Sequence, residues 1–285
     1  RNDHLQINGY ERETTPYLME EDNLVSLTDI YGAECFTHTS VPQIMTRADS
    51  ANPQRAYDEQ SFVTIFNDAG FRTTWIANQE SVATYAYFMN ECDTLIYVNG
   101  DKSVYTFDKW LDEDILPHLE NELKDDNPTQ LHILHSIGSH WWYNSHYTDE
   151  FERYTPVIKS RVVSSNTQEE MINSYDNTIL YTDYFIKETI DLIRDKKSIL
   201  IFLSDHGESL GEDGYYLHGA DRPELHYPAA FVWYSDKYAQ SFPDMIENLK
   251  DNSDKKYRSD YLFHSIIDAA DITTEYIEPQ LSIFR

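Results

Sequence analysis

This sequence of 285 residues predicts an α/β fold with a mostly parallel central sheet. Residues 167–194 form the longest amphipathic segment, with apolar side chains recurring about every 3.6 residues, as on one face of a helix. The apolar run Ile199–Leu203 follows directly and is typical of a strand that is buried on both faces. Similar helix and strand patterns alternate elsewhere along the chain, and this alternation favours a parallel sheet covered by helices.

The remaining elements follow from local signals, in chain order. Residues 58–70 have the pattern of a helix closed by its final glycine, and residues 72–76 that of the strand after it. Residues 104–116 favour another helix, which Pro117 should end because proline removes a backbone donor and clashes with the preceding turn.

Further along, residues 131–135 predict a strand that ends before a glycine-containing loop. Thr167 and Glu170 have the spacing of a capping box, so the long helix should begin there. Residues 227–234 predict a last strand and residues 260–270 a last helix. In sheets of this kind ligands bind beyond the carboxyl ends of the strands, and the functional residues are expected there.

Composition restricts the function. Apolar residues make up 40% of the chain and aromatic residues 14%, enough to exclude a disordered protein. The 22 basic and 50 acidic residues give a net charge of -28, which disfavours binding to nucleic acid or to an anionic membrane. Apolar runs are far shorter than a membrane span, and no signal peptide is visible. The sequence therefore predicts one domain over residues 1–285, soluble and monomeric as given, from a longer protein.

Two cysteines, Cys35 and Cys92, are too few for a disulfide scaffold. They could pair with each other or remain as two buried thiols. Their separation along the chain does not decide between these possibilities, because it says nothing about their distance in space.

The chemically richest segment is residues 204–219, which begins where the predicted strand 199–203 ends. Four of the nine glycines in the chain fall between positions 207 and 219, which indicates a tightly folded loop. Asp205 and His206 are adjacent, and a second imidazole follows at His218. Carboxylate and imidazole groups are ligands of zinc and manganese. An isolated Asp-His pair is usually a turn cap beside a surface residue, but this setting favours a metal site.

Another imidazole cluster follows the strand predicted at 131–135. His132 and His135 alternate on that strand, and one or both should simply pack against neighbours. His140 lies beyond Gly138 in the loop and is the better candidate for a functional residue. Loops that leave neighbouring strand ends should converge on one crevice, so this loop should meet the segment 204–219.

A third segment, residues 37–45, is rich in hydroxyl groups. A hydroxyl held by a metal ion can lose its proton near neutral pH and attack phosphorus or sulfur. Taken alone, however, this stretch would be an ordinary helix start.

Four segments together point to a family. Residues 1–10 resemble the pattern GExxRxDHxxxxGY from its arginine onward, residues 37–42 resemble TxxSVP, and residues 171–177 resemble a helix behind an active site. The string SDHGESLGEDGYYLHG at 204–219 is the most specific. With these motifs the chain resembles the phosphoethanolamine transferases of Gram-negative bacteria, in the alkaline phosphatase and sulfatase superfamily. The resemblance implies a three-layer sandwich.

The resemblance also implies residue roles. Thr37 would be the nucleophile that carries phosphoethanolamine as phosphothreonine, and it would bind zinc together with Asp205 and His206. His140 and His218 would bind the phosphoryl group, assist the leaving group or hold a second zinc. Thr39 and Ser40 stand beside Thr37 as alternative nucleophiles, and Thr37 is preferred because it lies four residues before Val41, as in the family.

The implied reaction moves phosphoethanolamine from phosphatidylethanolamine to an acceptor in the cell envelope, at the periplasmic face of the bacterial inner membrane. Lipid A, core oligosaccharide, a periplasmic glucan and a surface protein all remain open as acceptors. The alternatives are a sulfatase, a phosphatase or a phosphoglycerol transferase on the same scaffold, or an inactive fragment. A sulfatase is disfavoured because residues 40–44 keep the proline of its C/S-x-P-x-R motif but lack the arginine.

The sequence departs from the family in three ways. The glutamate of GExxR, a metal ligand in the family, would stand just before Arg1, so zinc binding by this piece is expected to be weak or absent. The membrane helices that anchor the family members are missing from the sequence, and the anchor of the parent protein is expected to lie outside it. The family's disulfide pattern has no clear match in Cys35 and Cys92.

Overall fold

The computed structural model describes residues 1–79, 82–100, 102 and 108–285. Its strands, in chain order, are β1 Leu24–Ser26, β2 Ile30–Tyr31, β3 Arg72–Ala77, β4 Thr94–Tyr97, β5 Gln130–His135, β6 Ile199–Leu203, β7 Ser209–Leu210, β8 Tyr216–Leu217, β9 Ala230–Tyr234 and β10 Tyr257–Arg258. Its α-helices are α1 Thr37–Met45, α2 Arg55–Asp58, α3 Phe62–Asp68, α4 Ala83–Met89, α5 Leu116–Glu122, α6 Gln168–Ile193, α7 Asp236–Ser241, α8 Pro243–Asn252 and α9 Leu262–Ala269.

Two three-stranded sheets form the centre of the fold. One is parallel, with strand order β4-β3-β5, and Trp75 is paired with Leu95 on one side and Ile133 on the other. The other has the order β1-β9-β6 and is antiparallel, with Trp233 opposite Leu200. The prediction of parallel pairing therefore holds for β3, β4 and β5, whereas β9 runs against both of its neighbours.

Helices cover both faces of these sheets. Along β9, Phe231 and Trp233 belong to the apolar cluster that includes α5 and α6, while Ala230 and Val232 belong to the cluster that includes α8 and α9. Successive side chains of a strand point to opposite faces, so this alternation places the sheet between two helical layers. The α/β sandwich expected from the sequence is confirmed.

The long helix α6 begins with the predicted capping box. The Thr167 hydroxyl accepts a hydrogen bond from the backbone N–H of Glu170, whose carboxylate accepts one from the backbone N–H of Thr167. Further along α6, the buried Asp176 lies 2.7 Å from Nδ1 of His4 and accepts a hydrogen bond from Arg12. These bonds fasten the amino-terminal segment to the middle of α6.

The sequence predicted that Pro117 ends a helix, but in the structure Pro117 lies at the start of one. It lies in the first turn of α5, after the 3-10 turn Asp112–Ile115. Proline is well tolerated in a first turn because the N–H it lacks would have no partner within the helix there. Residues 104–107 of the predicted helix lie outside the described part of the chain.

Two other expectations need correction. The helix predicted over 58–70 begins only at Phe62, because the Ser61 side chain accepts hydrogen bonds from the backbone N–H groups of Val63 and Thr64 and caps it there. The run Ile199–Leu203 is half-buried rather than fully buried, since β6 lies at the edge of its sheet.

Cys35 and Cys92 are both free thiols, the first buried and the second half-buried. Among the described residues, none of the helices has the length and apolar character needed to span a bilayer.

Candidate active site

The loop that leaves β6 contains Asp205 and His206, and Gly207 fixes where it runs. The Gly207 N–H donates a 2.7 Å hydrogen bond to the Leu225 carbonyl oxygen. A β-carbon at position 207 would lie only 2.2 Å from the Glu224 carbonyl oxygen, so only glycine permits this approach. The backbone is thereby held where the two side chains meet α1.

Thr37 is the first residue of α1 and meets this loop. Its Oγ1 lies 3.4 Å from Nε2 of His206. The neighbouring hydroxyls are engaged elsewhere, because Thr39 donates to the Phe36 carbonyl oxygen at 3.0 Å and Ser40 donates to the Asp205 carbonyl oxygen at 2.6 Å. Of the three hydroxyls considered from the sequence, that of Thr37 therefore faces the imidazole of the site.

The donor atoms of this cluster suit a zinc ion. Nδ1 of His206 lies 2.6 Å from the Gly207 carbonyl oxygen, which can only accept, so the lone pair of the neutral ring is on Nε2. Nε2 is 3.4 Å from Oγ1 of Thr37 and 3.7 Å from Oδ2 of Asp205. Ligands about 2.0–2.1 Å from a tetrahedral zinc ion stand about 3.3 Å apart. Thr37, Asp205 and His206 therefore fit the metal with little movement.

The electrostatics of Asp205 agree with a ligand role. Burial acts to raise the pKa of this carboxyl group, but the charge interaction with His206 and a hydrogen bond from Thr37 outweigh it. The pKa of Asp205 is therefore held below its ordinary value. An ionised carboxylate is the form that binds a metal.

His218 and His140 lie next to this cluster. The ring centroid of His218 is 4.5 Å from that of His206 and 6.5 Å from that of His140. A hydrogen bond with Glu208 raises the pKa of His218, whereas burial lowers the pKa of His140. The structure thus places all the site residues proposed from the sequence in one contiguous group, with His218 as the link between His140 and His206.

Glu208 was not identified from the sequence, although it stands two residues after His206 in the same string. Its side chain is buried, with Oε2 2.9 Å from Nδ1 of His218 and Oε1 accepting a 2.8 Å hydrogen bond from the Tyr143 hydroxyl. Ligand atoms of His206, Glu208 and His218 all lie within 4.8 Å of one another, so this group could also bind a cation. The position of Glu208 close to Asp205 and His206, two metal-binding residue types, was the signal in the sequence that could have identified it.

Two further histidines near the site, His135 and His146, pack against other side chains. His135, at the end of β5, packs edge-on against Trp75 and Tyr85, and burial lowers its pKa to about 4. His146, which sequence reasoning missed, lies 6.4 Å from His140 between ring centroids and is buried, with its pKa lowered to about 3. Both rings are therefore neutral at pH 7.

Comparison with known proteins places this geometry in a family. The Sulfatase profile matches residues 1–272. The Kdo(2)-lipid A phosphoethanolamine 7''-transferase of Escherichia coli K12 is 36% identical over 248 residues, covering 84% of this chain and 43% of that protein. The phosphoethanolamine transferase EptA of Salmonella typhimurium is 29% identical and covers 98% of this chain and 52% of its own length. The chain thus spans about half the length of these curated relatives.

Solved structures agree. The soluble domain of lipooligosaccharide phosphoethanolamine transferase A from Neisseria meningitidis superposes with a TM-score of 0.89 at 26% identity, covering 98% of this chain and 87% of that one. The C-terminal periplasmic domain of EcEptC from Escherichia coli, in complex with Zn, gives a TM-score of 0.90 at 23% identity over 100% and 83% of the two chains. At that identity the second likeness shows the fold alone. The chain belongs to the sulfatase family, and its relatives there are named phosphoethanolamine transferases.

Proposed function

We propose that residues 1–285 form the catalytic domain of a phosphoethanolamine transferase that modifies a lipid A-type glycolipid. The observation that supports this most directly is the Thr37 hydroxyl, whose Oγ1 lies 3.4 Å from Nε2 of His206 in the loop beyond the end of β6. A hydroxyl so placed can act as a nucleophile toward phosphorus. The relatives' names supply the group that is transferred and the class of acceptor.

The metal of this proposal is zinc, which Thr37, Asp205 and His206 would hold. Bound zinc lowers the pKa of a coordinated hydroxyl and withdraws electron density from a phosphoryl oxygen. The Gly207 carbonyl oxygen holds the His206 ring so that Nε2 faces the other two ligands, the kind of outer support that fixes a ligand histidine.

In the first half of the reaction, Oγ1 of Thr37 attacks the phosphorus of phosphatidylethanolamine. The new Oγ1–P bond forms as the P–O bond to diacylglycerol breaks, and the hydroxyl proton passes to solvent. His218 donates a proton to the departing diacylglycerol oxygen, with its ring oriented by the bond between Nδ1 and Glu208. Thr37 is left as phosphothreonine.

In the second half, an acceptor hydroxyl or phosphate oxygen attacks the phosphothreonine. The acceptor O–P bond forms, the Oγ1–P bond breaks, and Thr37 and His218 each regain a proton from solvent. His140, neutral and next to His218, accepts the proton of an attacking hydroxyl. Lipid A, core oligosaccharide or another envelope glycan could supply this oxygen.

We further propose that the reaction takes place at the periplasmic face of the inner membrane and that the domain is monomeric. A relative from Neisseria meningitidis, 26% identical, is described as an integral membrane protein, and this chain covers 55% of it. A membrane-held enzyme would meet phosphatidylethanolamine in the bilayer itself. The acidic surface, with a net charge of -28, attracts the cationic ethanolamine group and keeps the domain soluble.

The deciding experiment is mass spectrometry of envelope glycolipids from cells that lack their own transferases and express the full-length parent gene. We expect lipid A or its attached sugars to gain the mass of phosphoethanolamine. The gain should disappear with Thr37→Ala and persist with Thr39→Ala, the matched control. Glycolipids that remain unmodified, or a phosphoglycerol addition instead, would overturn the proposal.

A further inference from the structure

A second cluster of metal-binding side chains lies outside the groups used above. It consists of Cys35, Asp221 and His226, whose ligand atoms all lie within 4.8 Å of one another. Cys35 stands two residues before Thr37, and the other two belong to the segment that follows His218. The cluster therefore joins the chain just before α1 to the chain just after the glycine-rich loop.

Both ring nitrogens of His226 lie within hydrogen-bond distance of an oxygen acceptor, the Gly32 carbonyl for Nδ1 and the Asp221 carboxylate for Nε2. Nδ1 lies 2.7 Å from the Gly32 carbonyl oxygen, which can only accept, so Nδ1 bears a proton. In the neutral ring Nε2 then has a lone pair, yet it lies 2.8 Å from the Oδ1 of Asp221. Two acceptors at this distance require a cation between them, which is either a proton or a metal ion.

A third potential ligand lies beside His226 and Asp221. Cys35 is 4% exposed, and its sulfur lies within the same group of ligand atoms. A thiolate, an imidazole and a carboxylate together form a ligand set that zinc prefers and that magnesium and calcium do not. The Gly32 carbonyl oxygen supports His226 in the way that outer groups usually support a zinc-bound histidine.

The cluster is also accessible to an ion. The Asp221 side chain is 74% exposed, while that of His226 is only 13% exposed. A surface cavity of about 400 Å³ borders both residues and is lined in addition by Tyr31, Arg222 and Tyr227. Tyr31 stacks on the His226 ring with centroids 5.1 Å apart, which fixes the ring plane. An ion can thus reach Asp221 and His226 from solvent.

We propose that Cys35, Asp221 and His226 form a second metal site, for Zn²⁺ or a similar thiophilic divalent cation. The exposed Asp221 side chain can move and lengthen its 2.8 Å contact with His226 toward the ligand spacing of about 3.3 Å that tetrahedral zinc requires. The Cys35 thiol gives its proton to solvent as the metal binds, and water occupies the fourth position. The bound ion ties residues 219–227 to the segment that leads into α1.

Cobalt(II) tests this site without interference from the Thr37 cluster, which contains no sulfur. Adding Co²⁺ to the metal-free domain should produce the near-ultraviolet charge-transfer absorption of a thiolate bound to cobalt, and this absorption should saturate with one thiolate-bound ion per chain. The absorption should vanish in Cys35→Ser and remain in the matched variant Cys92→Ser. The absorption should also remain in His206→Ala, which removes a ligand of the Thr37 cluster. This variant therefore separates the test of the Cys35 site from the test of the proposed transferase activity.

A second variant covers the case in which Cys35→Ser does not fold. Asp221→Asn changes an exposed side chain and should fold normally. It should raise the Kd for Co²⁺, read from the same absorption, at least about tenfold, since even outer-shell groups contribute about 10–100-fold to metal affinity. Absence of the absorption from the unmodified domain, its persistence in Cys35→Ser, or an unchanged Kd in Asp221→Asn would each overturn the proposal.

Discussion

Nδ1 of His218 lies 2.9 Å from Oε2 of Glu208, and Glu208 is buried beneath the site with its other oxygen bonded to Tyr143. Because the carboxylate engages Nδ1, Nε2 of His218 lies on the side of the ring away from Glu208, and the plane of the ring is fixed. His218, whose ring centroid is 4.5 Å from that of His206, then presents Nε2 in one defined orientation beside the His206 ring. In the proposed mechanism this pair positions a proton donor, and its effect can be measured.

We expect Glu208→Gln to lower kcat of the transferase about 10–100-fold with little change in KM, because the side chain orients His218 without touching substrate. The pH dependence of kcat should shift to lower pH, since the carboxylate raises the pKa of His218. Tyr143→Phe, which removes the other hydrogen bond of Glu208, should have a smaller effect on kcat. A merely structural Glu208 would leave the shape of the pH profile unchanged.

The zinc ligands make a separate prediction. In the full-length protein His206→Ala should reduce bound zinc, measured by elemental analysis after dialysis, because one of the proposed protein donors is lost. His146→Ala, at a buried ring outside the proposed ligand set, serves as the control and should retain the metal. Full zinc occupancy in His206→Ala would contradict this ligand set, and it would equally exclude the group of His206, Glu208 and His218 as the zinc site.

Asp112 anchors the loop that contains His140. It is buried, and its oxygens accept hydrogen bonds from the backbone N–H groups of Ile137 at 2.7 Å and Gly138 at 2.9 Å and from the Asn78 side chain at 2.8 Å. Asp112→Ala leaves these donors buried without partners and should reduce the free energy of unfolding by at least about 2 kcal/mol. Urea denaturation measures this free energy. Asp112→Asn keeps one acceptor oxygen, so its free energy of unfolding should fall by less.

Asp183 gives a pH dependence of stability that is independent of the site. It is buried in α6, and burial raises its pKa to about 7 against the opposing hydrogen bonds from the Tyr17 and Leu18 backbone N–H groups. An unfolded chain has an aspartate pKa of about 3.9. Between these values the folded protein holds a proton that the unfolded chain has released, so the free energy of unfolding falls as pH rises.

Urea denaturation of the parent domain and of Asp183→Asn isolates this contribution. The stability of the parent relative to the variant should decrease from about pH 4 to about pH 7 and then level off. Asp195 is exposed, so the difference in free energy of unfolding between the parent and Asp195→Asn should not change across that pH range. A difference between parent and Asp183→Asn that grows with pH would show that the hydrogen bonds outweigh burial.

Local patterns in the sequence determined most of the elements. The capping box at Thr167 and the apolar period after it predicted α6 to within a residue at each end. The carboxylate, imidazole and glycine content of residues 204–219 indicated the chemistry of the site. Such features can be predicted from the sequence because their causes lie within a few neighbouring residues, in side-chain periodicity, caps and turn chemistry.

Only the tertiary structure decided which of those groups meet. The choice of Thr37 over Thr39 and Ser40 as the hydroxyl facing His206 depends on how the first turn of α1 abuts the loop after β6. The Glu208 contact with Tyr143 and the antiparallel direction of β9 likewise join residues far apart in the chain. Side-chain direction at such contacts is set by packing between elements, which leaves no periodic trace in a single sequence.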